Sequence, residues 1–223
     1  MIVLEDNTPL TEGFDMVFPV GVTLTADGTR TVTALPEAED VAVYLDILPA
    51  EDLFAPETTE AILARLAERL AAWGYEAEVA TSTVYHLTDR QQVNRRVILP
   101  SSEALMPDHG YENLTDCEPD PLGEGLLCFG TVTDGKILSA ASENPHAEED
   151  TVIDIGVETA EGHEGNGYAA SNVAALAYYL LDPGVTVTYI AEDDNLPSHR
   201  VAEKVGFTPS TRELRVVAWR GEE

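Results

Sequence analysis

The stretch VETAEGHEGNGYAASNVAALA (157–177) places two glycines one residue apart just before a predicted helix. Gly165 and Gly167 let the backbone turn sharply and approach a ligand closely, because they have no Cβ. The first amides of the following helix have no acceptor within the helix, and the helix dipole adds partial positive charge there. The stretch therefore predicts either a phosphate-binding turn or simply a tight strand-to-helix connection.

The residues before this turn are typical of strands. The segment LLCFGTVTDGKILSAAS (126–142) predicts a β-hairpin, because Asp134-Gly135 readily adopts the positive φ angles of a tight turn. The segment TVIDIGVE (151–158) predicts a third strand that leads towards the glycines.

The residues after the turn alternate between helical and extended patterns. Apolar residues over 169–181 have helical spacing, and Pro183-Gly184 stops that helix. The next elements follow in chain order: a strand over 185–192, a helix from a cap at Asp194 or Asn195 to Lys204 with Gly206 at its end, and a strand over 214–219. From residue 126, the predicted order is β-β-β-α-β-α-β.

The first half of the chain carries weaker signals. A hairpin is predicted over 18–35 around Asp27-Gly28, followed by a strand over 41–48, and extended segments over 78–87 and 93–99. A helix between them carries its apolar face at Ile62, Leu63, Leu66, Leu70 and Trp73, with Thr58 or Thr59 as its cap and Gly74 at its end. The polar segment 100–125 reads as a long connection.

Charge limits the partners of the protein. The 41 acidic and 12 basic residues give a formal charge of −29, which repels nucleic acids and anionic lipid surfaces. This acidity suits either a salt-rich cytoplasm or simply a soluble surface. We see no secretory signal and no apolar run of the roughly 18 residues that a membrane span needs, so we expect a cytoplasmic protein without a membrane partner.

The two cysteines carry no recognisable chemistry. Cys117 and Cys128 do not form a CxxC pair, and two cysteines in a domain of this size usually stay reduced. We therefore expect neither a disulfide nor a metal site.

Three kinds of phosphate-binding turn can be compared by spacing. A P-loop requires Lys-Ser or Lys-Thr after its last glycine, whereas Tyr168-Ala169 stands here. The segment 165–170 does fit the dinucleotide fingerprint G-x-G-x-x-A, with Glu192 or Asp193 after the next strand. However, seven residues separate Val157 from Gly165, and about 55 residues remain for further βαβ units. A dinucleotide-binding oxidoreductase stays an alternative.

The third kind is the pyrophosphate loop of the GNAT N-acetyltransferases, which the sequence resembles over about 122–223. The family loop is Q/R-x-x-G-x-G/A, and the chain has Glu164-Gly165-Asn166-Gly167-Tyr168-Ala169. Both small positions match, whereas Glu164 replaces the usual glutamine or arginine. The resemblance continues through IDIGVETAEG before the loop and DDNLPSHRVAEKVGF after it.

The resemblance implies an α/β (α+β) GNAT acyltransferase fold, with a mixed, largely antiparallel sheet flanked by helices. It implies acetyl-CoA as cosubstrate. The strand before the loop would splay from the next strand and hold the pantetheine arm. The implied cofactor-binding residues are Val157 and Thr159 on that strand, the loop residues Glu164, Gly165, Asn166, Gly167, Tyr168 and Ala169, and Asn195 and Ser198 on the opposite wall.

The implied reaction is direct attack of a neutral primary amine on the thioester, which requires a base. Glu158 at the end of the splayed strand is the candidate base, although it could be only an exposed carboxylate, and Asp154 on the same face is a weaker substitute. The family's usual tyrosine acid falls at Ala202, so the thiolate leaves unprotonated or takes its proton from water or another tyrosine. His163 and His199 are alternative groups that are more typical of solvated side chains.

The expected organisation is an N-terminal part (1–115), with strands, a helix and an elaboration of the same fold, and a GNAT acetyl-CoA-binding core (116–223). The acceptor is a small molecule or peptide amine, and the acidic surface favours a cationic one. Arg200 and Lys204 could contact the adenosine 3′-phosphate or be ordinary surface charge. A non-catalytic acyl-CoA sensor is the alternative that Ala202 raises, and GNAT resemblance is compatible with a homodimer.

Overall fold

A computed structural model describes residues 1–5, 14–105, 126–144 and 151–220. The chain forms two compact units, one of Met1–Thr83 with Ser210–Glu223 and the other of Val84–Pro209. The expected division between residues 115 and 116 lies outside the described residues and stays a prediction.

The first unit is built on antiparallel strands with one parallel edge. Its described strands are β1 (Ile2–Leu4), β2 (Met16–Val17), β3 (Val20–Thr25), β4 (Arg30–Ala34), the first part of β5 (Tyr75–Leu87) and most of β11 (Thr208–Arg220). The pairing order is β1-β4-β3-β11, with β2 also on β11, and only β1 and β4 are parallel. The predicted hairpin at Asp27-Gly28 is confirmed as β3 and β4, with Gly28 at a φ of 85°.

Two helices, α1 (Glu39–Ile47) and α2 (Pro56–Ala72), complete the first unit. Ile62, Leu66 and Leu70 form the buried face of α2, as their spacing predicts. Arg69 of α2 holds Asp40 of α1 through two hydrogen bonds of 2.6 and 2.8 Å. This bidentate pair fixes the two helices to each other.

The second unit contains the elements around the glycine turn. Its described strands include β6 (Ser102–Ala104), β7 (Cys128–Thr133), β8 (Lys136–Glu143), β9 (Val152–Thr159) and β10 (Thr186–Glu192), and its helices are α3 (Tyr168–Leu180) and α4 (Leu196–Val205). Strands β6 to β9 pair antiparallel, whereas β9 and β10 are parallel. The predicted element order and the mixed, largely antiparallel α/β fold class are confirmed. No helix in the described ranges is both long and apolar enough to cross a membrane.

Helix α3 is fixed on its sheet by polar as well as apolar contacts. Asn172 is fully buried, its Nδ2 donates to the Ser139 carbonyl at 2.9 Å, and its Oδ1 accepts from Ser102 Oγ at 2.6 Å. Ser171 Oγ accepts from the Leu99 amide at 2.8 Å. Because buried polar groups cost free energy unless they are paired, these bonds permit only one register of α3 on the strands.

The strand predicted over 41–48 is wrong, because this segment is helix α1. A strand would alternate its buried residues, whereas Val41, Ala42 and Leu45 are buried and Val43 and Ile47 are exposed. That spacing is helical. A run in which almost every residue is apolar has no period of its own, so its tertiary contacts decide its structure.

Four further predictions also need correction. The segment 93–99, predicted to be extended, contains a 3₁₀ turn, Arg95–Val97. The Asn94 side chain accepts a hydrogen bond from the Arg96 amide and so stabilises the turn. Neither Thr58 nor Thr59 caps α2, which begins at Pro56 after Ala55. Trp73 follows α2 and is 40% exposed, so it lies outside the buried face. In the segment 100–125, β6 interrupts the expected connection, and 106–125 lies outside the described residues.

The turn between β3 and β4 generates a prediction about pH. Thr25 Oγ1 donates to the Asp27 carboxylate at 2.5 Å and the Thr29 amide donates at 2.9 Å, which lowers the pKa of Asp27 to about 2. Because the folded pKa lies below the unfolded one, ionised Asp27 stabilises the protein above pH 3.8, and this contribution disappears as the pH falls towards 2.

We expect Asp27→Asn to lower the free energy of unfolding at pH 6, with a difference from wild type that shrinks below pH 4. Urea unfolding across this range measures it. Asp134→Asn, in the turn of the other hairpin, is the control for a change of turn residue. A difference for Asp27→Asn that does not vary with pH would contradict the assigned role of the charge.

Candidate functional site

The second unit contains an opening between its two parallel strands. The register between β9 and β10 comprises Thr186↔Val152, Val187↔Ile153 and Thr188↔Asp154. Both strands continue beyond it, β9 to Thr159 and β10 to Glu192. The strands therefore diverge after the pair Thr188↔Asp154 and leave a wedge-shaped gap.

Every second residue of β9 directs its backbone amide and carbonyl towards this gap. The Asp154 carbonyl accepts from the Asn144 amide at 2.9 Å, so the even-numbered residues of β9 direct their backbone groups towards the β8 side. Successive residues of a strand direct these groups to opposite sides. The amides and carbonyls of Val157 and Thr159 consequently face the gap, as an edge to which another extended chain can bond.

The glycine turn closes one end of the gap. Gly165 and Gly167 have φ values of 76° and 82°, in the left-handed region that favours glycine. Asn166 Nδ2 donates back to the His163 carbonyl at 2.9 Å and so braces the turn. The Ser171 amide donates to the Gly167 carbonyl at 3.0 Å as the first bond of α3, so the amides just before Ser171 have no acceptor within the helix.

Two basic side chains face the same turn. Arg200 and Lys204 of α4 line the gap together with the glycines. Lys204 Nζ lies 3.7 Å from the position that a Cβ at residue 167 would take. A cation thus lies beside the amino end of α3, where the helix dipole also favours an anion.

These features enclose one cleft of about 670 Å³. Nine of the ten predicted cofactor-binding residues line it: Val157, Thr159, Glu164, Gly165, Gly167, Tyr168, Ala169, Asn195 and Ser198. Asn166, the tenth, braces the turn through its side chain instead. The structure thus brings the predicted set together, and its role in binding stays a prediction.

The opposite wall of the cleft is the first turn of α4. Asn195 Oδ1 accepts from the Ser198 amide at 3.1 Å, which confirms Asn195 as the helix cap. Ser198 Oγ lies 2.8 Å from the hydroxyl of Tyr189 on β10. This bond joins the diverging strand to the helix and fixes the position of the wall.

The candidate catalytic groups have separate environments. Glu158 lines the cleft beside Val157 and Thr159, as does His163. Asp154 accepts hydrogen bonds from Thr188 Oγ1 at 3.1 Å and from Asn144 Nδ2 at 2.6 Å. Its carboxylate therefore stabilises the last pair of residues between β9 and β10.

The other two candidates lie on α4. His199 Nδ1 bonds the Tyr85 hydroxyl at 2.7 Å, and Ala202 is fully buried. Glu158 thus lies in the cleft, as does His163, and the role of Glu158 as the base stays a prediction. Ala202, the position of the family's usual acid, lies in the core.

Sequence reasoning missed Tyr189, which it treated only as part of a strand. Tyr189 is 3% exposed and lines the cleft, and burial raises the pKa of its hydroxyl. The available signal was its position in a strand-turn-helix unit, nine residues before Ser198. That spacing alone does not decide which side of the strand faces the helix.

The far end of α4 is fixed by the turn that was predicted to be extended. The Asn94 amide donates to the Val205 carbonyl at 2.7 Å, and Asn94 Nδ2 donates to the Lys204 carbonyl at 3.0 Å. Gly206 ends the helix at a φ of 109°, as predicted, and a Cβ there would clash with the Gln92 carbonyl oxygen. The turn therefore caps the carboxyl end of α4.

Comparison with known proteins shows what the chain is similar to. Residues 138–216 match the family described as FR47-like protein. A GCN5-related N-acetyltransferase-like protein from Streptococcus suis is 24% identical, with 71% of this chain and 68% of that one covered and a TM-score of 0.51. An acetyltransferase of the GNAT family from Colwellia psychrerythraea is 16% identical, with 97% and 90% covered and a TM-score of 0.49. None of the curated proteins compared is significantly similar in sequence.

The GNAT resemblance drawn from the sequence is thereby confirmed. The chain has the GNAT fold, and its FR47-like segment contains β9, the glycine turn, α3, β10 and α4. The geometry described above belongs to this segment.

The close approach at Gly206 generates a stability prediction. Gly206→Ala combines left-handed backbone strain with a clash against a backbone carbonyl, so we expect a loss of about 3 kcal/mol in the free energy of unfolding. Gly184→Ala in the same unit has the strain without a neighbour within 4 Å and should lose about 1 kcal/mol. Urea denaturation measures the free energy of unfolding of both variants. Equal losses would mean that the Gln92 turn shifts away from the new methyl group at no measurable free-energy cost.

Proposed function

We propose that the protein is an N-acetyltransferase that moves the acetyl group of acetyl-CoA to a primary amine. The observation that carries the proposal is the open backbone edge of Val157 and Thr159, which leads to the glycine turn. An extended pantetheine arm has amide groups that can pair with such an edge as an added strand would.

The glycine turn supports the same assignment at the other end of the cosubstrate. A pyrophosphate needs several converging donors, and the amides of residues 165–169 precede the first bond of α3. Arg200 and Lys204 add positive charge on the facing helix. Glu164 departs from the family pattern, and the nearby cations offset its charge.

The reaction we propose is direct transfer. Glu158 accepts a proton from the ammonium form of the acceptor, and the lone pair freed on the neutral nitrogen attacks the thioester carbonyl. Asn195 and Ser198 hold the cosubstrate from the opposite wall, so that donor and acceptor meet in one orientation. The sulfur leaves as the carbon–sulfur bond breaks.

The acceptor we propose is a cationic amine, such as a polyamine, an aminoglycoside or a lysine-bearing peptide. Its support is the formal charge of −29, which raises the local concentration of cations. Steering of this kind weakens with ionic strength, so acceptor kcat/KM that does not fall as salt rises would contradict it.

Two other functions make different predictions. A non-catalytic acyl-CoA sensor, which buried Ala202 favours, would bind acetyl-CoA without turnover. A dinucleotide-binding oxidoreductase, which the G-x-G-x-x-A match favours, would bind NAD and not CoA. The sensor and the transferase share the cleft and differ only in chemistry.

The first prediction of the transferase concerns the two lysines of the chain. Lys204→Glu places a like charge beside the proposed pyrophosphate site, so we expect acetyl-CoA affinity to fall about 10- to 100-fold. Lys136→Glu makes the same change at the exposed start of β8 and should leave the affinity unchanged. Calorimetric titration with acetyl-CoA, CoA and NAD measures this. Equal effects of the two variants would refute a local phosphate contact.

The second prediction concerns the base. With a strongly basic acceptor such as spermidine, Glu158→Gln should lower kcat about 100-fold without changing acetyl-CoA affinity. Glu143→Gln on β8 is a carboxylate control in the same unit. If Glu158→Gln retains full kcat, Glu158 is not the base.

A further inference from the structure

The cleft contains one buried phenol that the proposed function leaves unused. Tyr189 is the first residue of β10 beyond the pair Thr188↔Asp154, so it stands where the two strands begin to diverge. Its hydroxyl lies 2.8 Å from Ser198 Oγ, and its ring packs against Phe207 with centroids 5.7 Å apart. Both contacts hold the phenol in one orientation.

The position of the reacting thioester follows from the proposed function. If the pyrophosphate lies at the glycine turn, the pantetheine arm runs along β9 from Thr159 towards Val157. The gap narrows in that direction and closes at Asp154 and Thr188. The acyl end of the cosubstrate therefore reaches the narrow end of the gap, which is the end that Tyr189 occupies.

A proton donor is needed at that end. A departing thiolate is stabilised by a proton, and fully buried Ala202 has none to give. Burial raises the pKa of the Tyr189 hydroxyl, and the charge of Asp154 adds to this effect, so Tyr189 is protonated at neutral pH. The hydrogen bond with Ser198 acts in the opposite direction because it stabilises the phenolate.

We propose that Tyr189 is the general acid of the transfer and that Ser198 positions its phenol. Glu158 first takes a proton from the ammonium form of the acceptor, and the neutral nitrogen then bonds to the acetyl carbon. As the carbon–sulfur bond breaks, the sulfur keeps the electron pair and takes the phenol proton of Tyr189. The phenolate takes the proton that the acylated nitrogen loses, and Glu158 releases its proton to water, which leaves the acetamide and the free CoA thiol. This proposal rests on the proposed function.

Two acceptors separate the acid from the base. Hydroxylamine is a small, weakly basic amine that is already neutral at pH 8, so its acetylation does not depend on Glu158. Spermidine is protonated at that pH and does depend on it. Release of the CoA thiol is measured with both acceptors, after subtraction of the reaction without enzyme.

The two variants should differ in their dependence on the acceptor. Tyr189→Phe keeps the ring contact with Phe207 and should lower kcat about 100-fold with both acceptors, while calorimetry finds acetyl-CoA affinity unchanged. Glu158→Gln should lower kcat with spermidine and leave the hydroxylamine reaction nearly intact.

Tyr85→Phe is the matched control. Tyr85 is also buried, and its hydroxyl bonds the next residue of α4, His199, at 2.7 Å. Tyr85→Phe therefore loses an equivalent bond to the same helix without removing a phenol from the cleft. We expect a similar fall in melting temperature and an unchanged kcat.

Ser198 gives a second test that does not need Tyr189→Phe to fold. Ser198→Ala removes the hydroxyl that stabilises the phenolate and should lower kcat about tenfold at saturating acetyl-CoA. Ser198→Thr keeps a hydroxyl at this position and should retain most of the wild-type kcat. Equal kcat in Ser198→Ala and Ser198→Thr would contradict the positioning role.

The outcomes separate the two proposals. A wild-type protein that binds no acetyl-CoA, or binds it without turnover with either acceptor, refutes the transferase and the inference with it. A wild type that turns over while Tyr189→Phe matches it overturns the general acid alone. Equal losses of kcat in Tyr189→Phe and Tyr85→Phe also overturn it, because the loss then follows from a loosened helix.

Discussion

The site depends on the end of one parallel pairing. The strands β9 and β10 bond through three residue pairs and then separate, although each continues for several residues. Backbone amides and carbonyls away from water need partners, so a half-buried strand edge without a neighbouring strand favours whatever can bond to it. The Asp154–Thr188 hydrogen bond closes the last pair, and the contact between Tyr189 and Ser198 holds β10 against α4. The gap is therefore part of the folded structure before any ligand enters.

The electrostatics of the cleft differ from those of the whole chain. A formal charge of −29 opposes an anionic cosubstrate at long range, yet charges on the surface are screened beyond about 8 Å at physiological salt. Near the glycine turn, the amides of α3, Arg200 and Lys204 act over a few ångströms. The local donors therefore decide the preference at the turn. Salt improves the approach of an anion and weakens that of a cation, so the two substrates of the proposed reaction respond to it in opposite directions.

Much of the second unit could be predicted from the sequence because its signals are local. The turns of this unit are marked by residues with positive φ angles: Asp134-Gly135 at 52° and 79°, Gly167 before α3 and Gly206 after α4. Each of these turns can be recognised from the residues that form it. Helix α1 could not be predicted, because almost every residue of 41–48 is apolar. Such a run has neither helical nor strand periodicity, and its tertiary contacts decide which structure it forms. The 3₁₀ turn at Arg95–Val97 was missed for a similar reason, because its role is to cap α4, more than a hundred residues later. The residues of the glycine turn were found from a motif, whereas Tyr189 depends on a contact that no motif records.

Helix α4 is held by two tyrosine hydroxyls at consecutive residues. Tyr189 bonds Ser198 and Tyr85 bonds His199, at 2.8 and 2.7 Å. Consecutive residues of a helix point about 100° apart, so one bond faces the cleft and the other joins the helix to β5. Both bonds tie the helix to a strand, and Tyr189 lines the cleft whereas Tyr85 does not. Ala202 of this helix is buried in the core and has no acidic proton, whereas the strand beside the helix places a phenol at the cleft.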